Sequence, residues 1–194
     1  AERQKATAEA VNQFLVDMLR NVDPAKTQGR DVTVREVLDQ AAKMLDASFK
    51  DQPLVRAQIE NAVGQMYTAL GRYQEALDHA RASLKFWQVQ YQGDHDDVAT
   101  GLNNVGTNLN SLGCAEEALP LFRRALQMRR RLFQGDHPSV AYSLNNLACC
   151  LGLVGRRTEA LPLAREALEM RQRLFMGDHG DIATSLNNLA QDLQ

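Results

Sequence analysis

The sequence predicts an all-α protein, a solenoid of antiparallel helical hairpins, and three observations carry that expectation. Gly93-Asp94-His95 recurs as Gly135-Asp136-His137 and Gly177-Asp178-His179, a fixed period of 42 residues (135 − 93 = 177 − 135). Leu102-Asn103-Asn104 recurs in the same register as Leu144-Asn145-Asn146 and Leu186-Asn187-Asn188. Between these marks, apolar residues fall three and four apart, the spacing of one face of a helix. A constant period of this size signals stacked supersecondary units, none of which can bury its apolar face alone.

The first element is expected over Ala1 to Arg20, where Ala8, Val11, Phe14, Leu15, Met18 and Leu19 form one stripe. Asn21-Val22-Asp23-Pro24 stops it, and a polar loop runs to Arg30. Thr33, with Glu36 three residues on, has the capping-box pattern that opens a second helix. Its stripe is Val34, Val37, Leu38, Ala41, Met44 and Leu45, and it ends near Phe49. Residues 1–50 therefore read as a capping helix pair, a degenerate repeat. Residues 51–194 read as the solenoid proper, about three and a half units: 51–92, 93–134, 135–176 and 177–194.

Each unit pairs a helix A with a helix B. The A helices are expected near 54–70, 97–112 and 139–154, with a fourth opening near Ile182. The B helices are expected near 73–91, 115–133 and 158–175. Gly71, Gly113 and Gly155 fall at the turns, where a left-handed residue closes the preceding helix. Val105, Leu109, Leu112, Ala118, Phe122, Ala125 and Leu126 supply the apolar face of one hairpin. Leu147, Leu151, Ala160, Leu163, Ala164, Ala167 and Leu168 supply the next. Small residues at Ala76, Ala118 and Ala160 allow the paired helices close approach.

Composition narrows the function. With 44% hydrophobic residues among 194, the chain has enough apolar surface for one core or a core shared along a stack. Twenty-two Lys and Arg against 24 Asp and Glu give a net charge of −2, with no pull toward nucleic acid or an anionic membrane. Aromatics at 6% leave little for base stacking. Cys114, Cys149 and Cys150 form no C-x-x-C pair, and they read as small helix residues in a reducing compartment. There is no apolar run near the roughly 18 residues that span a bilayer and no signal peptide, so a cytoplasmic location is expected. The helical character of Ala1 to Ala10 suggests a piece of a longer protein.

Gly106, Gly113, Ala118, Phe122 and Ala125 fall at the spacings of the tetratricopeptide repeat. The longer unit here, with Leu144-Asn145-Asn146-Leu147-Ala148 and Gly155-Arg156-Arg157-Thr158-Glu159-Ala160-Leu161, resembles the kinesin-light-chain type of that repeat. The resemblance covers residues 51 to 194 and implies a right-handed superhelical solenoid with its A helices on the concave side. Val11-Asn12-Gln13-Phe14-Leu15 and the stretch Asp31 to Ala42 are similar to the segment that opens the C-terminal repeat region of certain bacterial serine/threonine protein kinases. Such a kinase follows its catalytic domain with this region and often carries a membrane span. No glycine-rich phosphate loop, H-R-D or D-F-G occurs here, so no catalytic activity and no cofactor are expected of this chain.

By the resemblance, the first Asn of each L-N-N motif faces the groove: Asn103, Asn145 and Asn187, with Asn61 at the same register one unit earlier. Their amides either pair with the backbone of an extended peptide or bond to neighbouring A helices and fix the stacking register. One turn along lie Gln65, Thr107, Cys149 and Gln191; one turn back lie Gln58, Thr100, Tyr142 and Thr184. This lining is polar and nearly uncharged, unlike a carboxylate clamp. It favours an internal extended segment over a peptide C-terminus. The second asparagines, Asn104, Asn146 and Asn188, are expected to bond locally or to the adjoining hairpin.

His95, His137 and His179 repeat with the unit. Zinc needs ligands converging at about 2.0–2.1 Å on one ion, so histidines one repeat apart point to turns, not to a metal. Asp94, Asp136 or Asp178 is expected to cap the following helix, and Pro138 suits a first turn. Arg123-Arg124 and Arg129-Arg130-Arg131 read as a solvated face with apolar stems and wet heads; the alternative is a site for an acidic partner. Trp87, at the register of Arg129, reads as packing. The expected function is a non-catalytic scaffold that binds a protein or peptide, a recognition arm of a larger signalling protein. The alternative is self-association through the last A helix, where Leu186, Leu189 and Leu193 lack a following B helix.

Overall fold

The computed structural model of the chain describes residues 9–14, 16–18, 33–49 and 51–175, and all regular structure among them is helical. The chain forms two compact units, Ala1–Gln90 and Tyr91–Gln194. Sequence reading instead set residues 1–50 apart from the repeats.

In the first unit, residues 9–14 and 16–18 are helical (α1). They are followed by α2 (Val34–Ser48), α3 (Pro53–Ala69) and α4 (Tyr73–Gln90). Thr33 opens α2 with both halves of the capping box. Its hydroxyl accepts from the Glu36 amide at 3.3 Å, and the Glu36 carboxylate accepts from the Thr33 amide at 3.0 Å. The apolar stripe of α2 is buried through Val37, Leu38, Ala41 and Leu45, packed in one cluster with Phe14 and Met18 of α1 and Val55, Ile59, Val63 and Tyr67 of α3. Phe14 meets Phe49 edge-on at 5.7 Å. The expected cap thus shares its core with the first hairpin, and Tyr67 adds a bond across it, donating to Asp39 at 2.6 Å.

The second unit contains α5 (Asp96–Ser111), α6 (Ala115–Leu132), α7 (Pro138–Leu153) and α8 (Arg157–Leu174). Each A–B turn closes on a glycine with positive φ: 71° at Gly71 in the first unit, then 80° at Gly113 and 76° at Gly155. Within the α5–α6 hairpin, Phe122 is almost fully buried against Gly106, where an added Cβ would lie 2.8 Å from the ring. The following hairpin carries Ala148 and Ala164 at these registers, both buried. Where the α5–α6 hairpin sets a large ring against a glycine, the α7–α8 hairpin has two small residues. Leu112, expected on the buried face, is 38% exposed.

The inter-repeat turns depart from expectation. Asp94 and Asp136 were expected to cap the next helix, but His95 and His137 do so. Their Nδ1 atoms accept from the amides of Asp97 and Ser139, each at 3.2 Å. The rings stack on Tyr91 and Phe133 at centroid distances of 3.4 and 3.6 Å. Asp94 and Asp136 instead hold Arg131 and Arg173 in two-pronged pairs at 2.5 and 2.9 Å. These hydrogen bonds keep both carboxyls below their ordinary range. Pro138 stands at the first turn of α7, as expected. The expected fourth A helix lies outside the described residues.

Candidate functional site

The A helices are α3, α5 and α7, and the residues expected to line a groove lie on them in different surroundings. On α3, Gln58 and Asn61 are half-buried and Gln65 is exposed. On α5, Thr100 and Thr107 are half-buried; on α7, Cys149 is half-buried and Tyr142 is 42% exposed. Asn187, with Thr184 and Gln191, lies outside the described residues.

Asn103 does not face solvent. It is 0% exposed. Its amide nitrogen donates to the Ala99 carbonyl at 3.0 Å and to the Ser143 hydroxyl at 3.1 Å. Its oxygen accepts from the amide of Asn146 at 3.4 Å. Asn145 is also buried, with its amide 4.0 Å from the Cys149 sulfur. The expectation that these two asparagines present amides to a ligand is therefore corrected. Buried amides must be hydrogen-bonded, and Asn103 meets that need by tying α5 to α7. Asn146 has the role expected of the second asparagines, a bond to the adjoining hairpin.

This network centres on a residue the sequence reading placed in water. Arg129, near the end of α6, is 4% exposed. Its Nε donates to Asp96 at 2.7 Å and one terminal nitrogen donates to the Thr100 hydroxyl at 2.8 Å, both on α5. The other terminal nitrogen donates to the Ser139 carbonyl at 3.1 Å and the Ser143 hydroxyl at 3.0 Å, both on α7. Four of the five guanidinium donors thus reach two helices, and the Tyr142 ring lies 5.9 Å away over the same cation. A charge is tolerated in this position because it is paired and hydrogen-bonded. Thr100, expected to line the groove, is an acceptor inside this network.

The sequence held a signal for this. Phe122, Ala125 and Arg129 follow one another on the buried stripe of α6, and Ala164, Ala167 and Arg171 do so on α8. The neighbouring arginines behave as expected of a solvated face. Arg130 pairs with Glu166 at 2.7 Å and Arg123 with Glu159 at 3.4 Å, all four half-exposed.

In the first unit the equivalent of Arg129 is Trp87, 2% exposed and packed as expected. The polar network there lies elsewhere. Glu60, 5% exposed, is 2.6 Å from Nδ1 of His79 and 3.5 Å from Arg56. His79 stacks on Tyr67 at 5.3 Å. Burial and the bond to Asp39 push the Tyr67 phenol well above its ordinary value. Burial also raises the Cys150 thiol, whose sulfur lies 3.3 Å from the Ala115 carbonyl; no disulfide joins any of the three cysteines. Among the described residues no three His, Cys, Asp or Glu side chains are grouped to hold a metal. No described helix is long and apolar enough to cross a membrane.

The tetratricopeptide repeat profile matches residues 55–113 and 97–173. Among solved structures, the chain is similar to a kinesin-light-chain-like protein of Podospora anserina with nearly identical TPR-like repeats. The identity is 17% with a TM-score of 0.66, over 98% of this chain and 85% of that one. It is also similar to BtubC (BKLC) from P. vanneervenii, at 22% identity and a TM-score of 0.70, over 98% of this chain and 82% of that one. A TPR-like protein from Chlorobium tepidum matches at 22% identity and a TM-score of 0.58, over 72% of this chain and 96% of that one. These likenesses are of fold. No curated protein sequence matches the chain.

Proposed function

This chain belongs to the tetratricopeptide repeat family, whose members generally serve as protein–protein interaction scaffolds, and from that membership we propose that it binds an extended segment of a protein partner along solvent-facing residues of its A helices. The observation that carries the reading is Tyr142. It stands on an A helix, 42% exposed, beside a guanidinium that four hydrogen bonds hold still. A large amphipathic ring held in place at low entropic cost is the kind of group that anchors interfaces. Thr107 and Cys149 extend the same face in the second unit; Gln58, Asn61 and Gln65 offer a polar, uncharged face in the first.

The test is selection from a displayed library of random extended peptides. Tyr142→Ala should weaken a selected peptide about tenfold or more, as loss of an anchor does, with the unfolding midpoint unchanged. Recovery of no peptide, or undiminished binding by the variant, would overturn the reading. The similarity of the N-terminal stretch to kinase-associated repeat regions extends the proposal to a non-catalytic recognition arm of a larger signalling protein. A kinase reading frame upstream of Ala1 supports that extension, and an unrelated frame there removes it. Self-association through Leu186, Leu189 and Leu193 is the competing proposal. Light scattering on a chain extended by a full B helix decides it: a dimer that persists rules out this edge.

A further inference from the structure

The two A–B turns of the second unit lie side by side and carry opposite charge. The Cys150 sulfur on α7 is 3.3 Å from the Ala115 carbonyl at the start of α6. Arg123 of α6 reaches Glu159, in the first turn of α8, at 3.4 Å. These contacts set residues 112–117 beside residues 150–159 along one edge. Apolar side chains stand out there: Leu112 is 38% exposed and Leu153, the last residue of α7, is 64% exposed. Glu116 and Glu117 follow in one turn and Arg157 in the other, all three exposed. Among the described residues no ion pair engages these three. The nearby Glu159 is already held by Arg123 and by two nitrogens of Arg156.

Acids are favoured in the first turn of a helix and cations are not. Arg157, the first residue of α8, therefore gains from a carboxylate brought from outside, and an exposed leucine gains from cover. We infer that this edge pairs with the same edge of a second copy of the chain about a twofold axis. A twofold contact sets a patch against itself, so the acidic turn of each copy meets the basic turn of the other. Glu116 and Glu117 of each copy face Arg157 of the other, and Leu112 of each covers Leu153 of the other. Charge complementarity selects this occupant. An acidic partner would suit Arg157 but be repelled by Glu116 and Glu117, and a basic partner the reverse. The face is small beside the about 800 Å² per partner of a stable interface, so the dimer is weak and its dissociation constant is about 0.1–1 mM. The contact uses neither the solvent-facing groups of the A helices nor Leu186, Leu189 and Leu193. It goes beyond the scaffold reading by making the scaffold two-sided.

The experiment is sedimentation of the full chain and its charge-swapped variants at concentrations up to about 1 mM, the range in which so weak a dimer forms. Wild type should pass from monomer to dimer. Glu116→Arg with Glu117→Arg places like charges at both symmetry-related contacts, and so does Arg157→Glu alone. Each variant should dimerise about tenfold or more weakly than wild type. An equal mixture of the two restores opposite charges at both contacts and should dimerise within about threefold of wild type. Leu153→Asp should weaken the dimer about tenfold or more. All these positions are exposed, so the urea midpoints should match wild type; if Leu153→Asp fails to fold, the charge-swapped mixture still decides. A chain that stays monomeric, a mixture no better than its components, or a dimer untouched by the folded Leu153→Asp variant would overturn the inference. A library-selected peptide that the folded Leu153→Asp variant no longer binds would give the edge to a different partner and overturn it too. Dimerisation as expected with no peptide selected would keep this edge while the peptide-binding reading falls.

Discussion

The first hairpin and the two that follow place their buried charge at opposite registers. In α3–α4 the charge lies within the hairpin: Glu60 against His79, with Trp87 at the register where Arg129 stands later. The later hairpins carry Leu102 and Leu121, then Leu144 and Leu163, at the positions of Glu60 and His79. Their charge sits instead at Arg129 and Arg171, and Arg129 bonds to two successive A helices. A repeat therefore conserves the geometry of its positions while the chemistry at each is exchangeable, provided every buried polar group finds partners. Bonds within a hairpin hold two helices together. Bonds like those of Arg129 hold one hairpin to the next, and that makes the second unit's stacking specific as well as apolar.

The largest effect should come from breaking the inter-hairpin hub. Arg129→Ala removes four hydrogen bonds and takes the guanidinium from Asp96, Thr100, Ser139 and Ser143, and should cost about 3 kcal/mol in urea unfolding of the second unit. A loss below about 1 kcal/mol, the worth of one ordinary hydrogen bond, would mean the hub is incidental. The equivalent change in the first unit should behave differently. Glu60→Ala leaves His79 without its acceptor and should destabilise by about 2 kcal/mol. The double replacement Glu60→Leu with His79→Leu adopts the later hairpins' solution and should match or exceed wild-type stability. A double variant less stable than the single one would show that the two registers are not interchangeable.

Gly106→Ala sharpens the packing side of the comparison. A methyl there lies 2.8 Å from the buried Phe122 ring, an overpacking cost of about 1–3 kcal/mol, against at most about 1 kcal/mol gained in helix propensity. The net should be a modest loss, and adding Phe122→Ala should deepen it, because the buried ring leaves a cavity that one methyl cannot fill. The smallest effect concerns pH. The Tyr67 phenol holds its proton more tightly folded than unfolded. Its contribution is therefore complete below about pH 10, the unfolded value, and is lost as pH rises through the higher folded value. Wild type minus Tyr67→Phe stability, followed by denaturant titration, should fall above that pH; a flat difference would refute the assignment.

Much of this was legible in the chain. Thr33 with Glu36 announced a capping box, Gly71, Gly113 and Gly155 announced the turns, and the helix limits followed to about one residue. These are local signals, readable because each depends on residues a few positions apart. The asparagine column was not legible. A 42-residue recurrence says that Asn103 and Asn145 occupy equivalent places. It cannot say which neighbouring helix those places face. Arg129 was misplaced for a related reason: its position on the Phe122–Ala125 stripe pointed inward, but its partners come from Asp96, Thr100 and Ser143 on two other helices. The histidine caps were hidden too, because stacking on Tyr91 or Phe133 fixes the ring that then accepts the amide.

The central claim is that Asn103 serves the stack and not the ligand, and the unfolding midpoint of Asn103→Ala tests it without knowledge of any partner. Loss of the bonds to Ala99, Ser143 and Asn146 should destabilise the second unit by about 1–3 kcal/mol, the cost of stranding buried polar groups. A midpoint identical to wild type would contradict the claim and return Asn103 to the list of groups available for recognition.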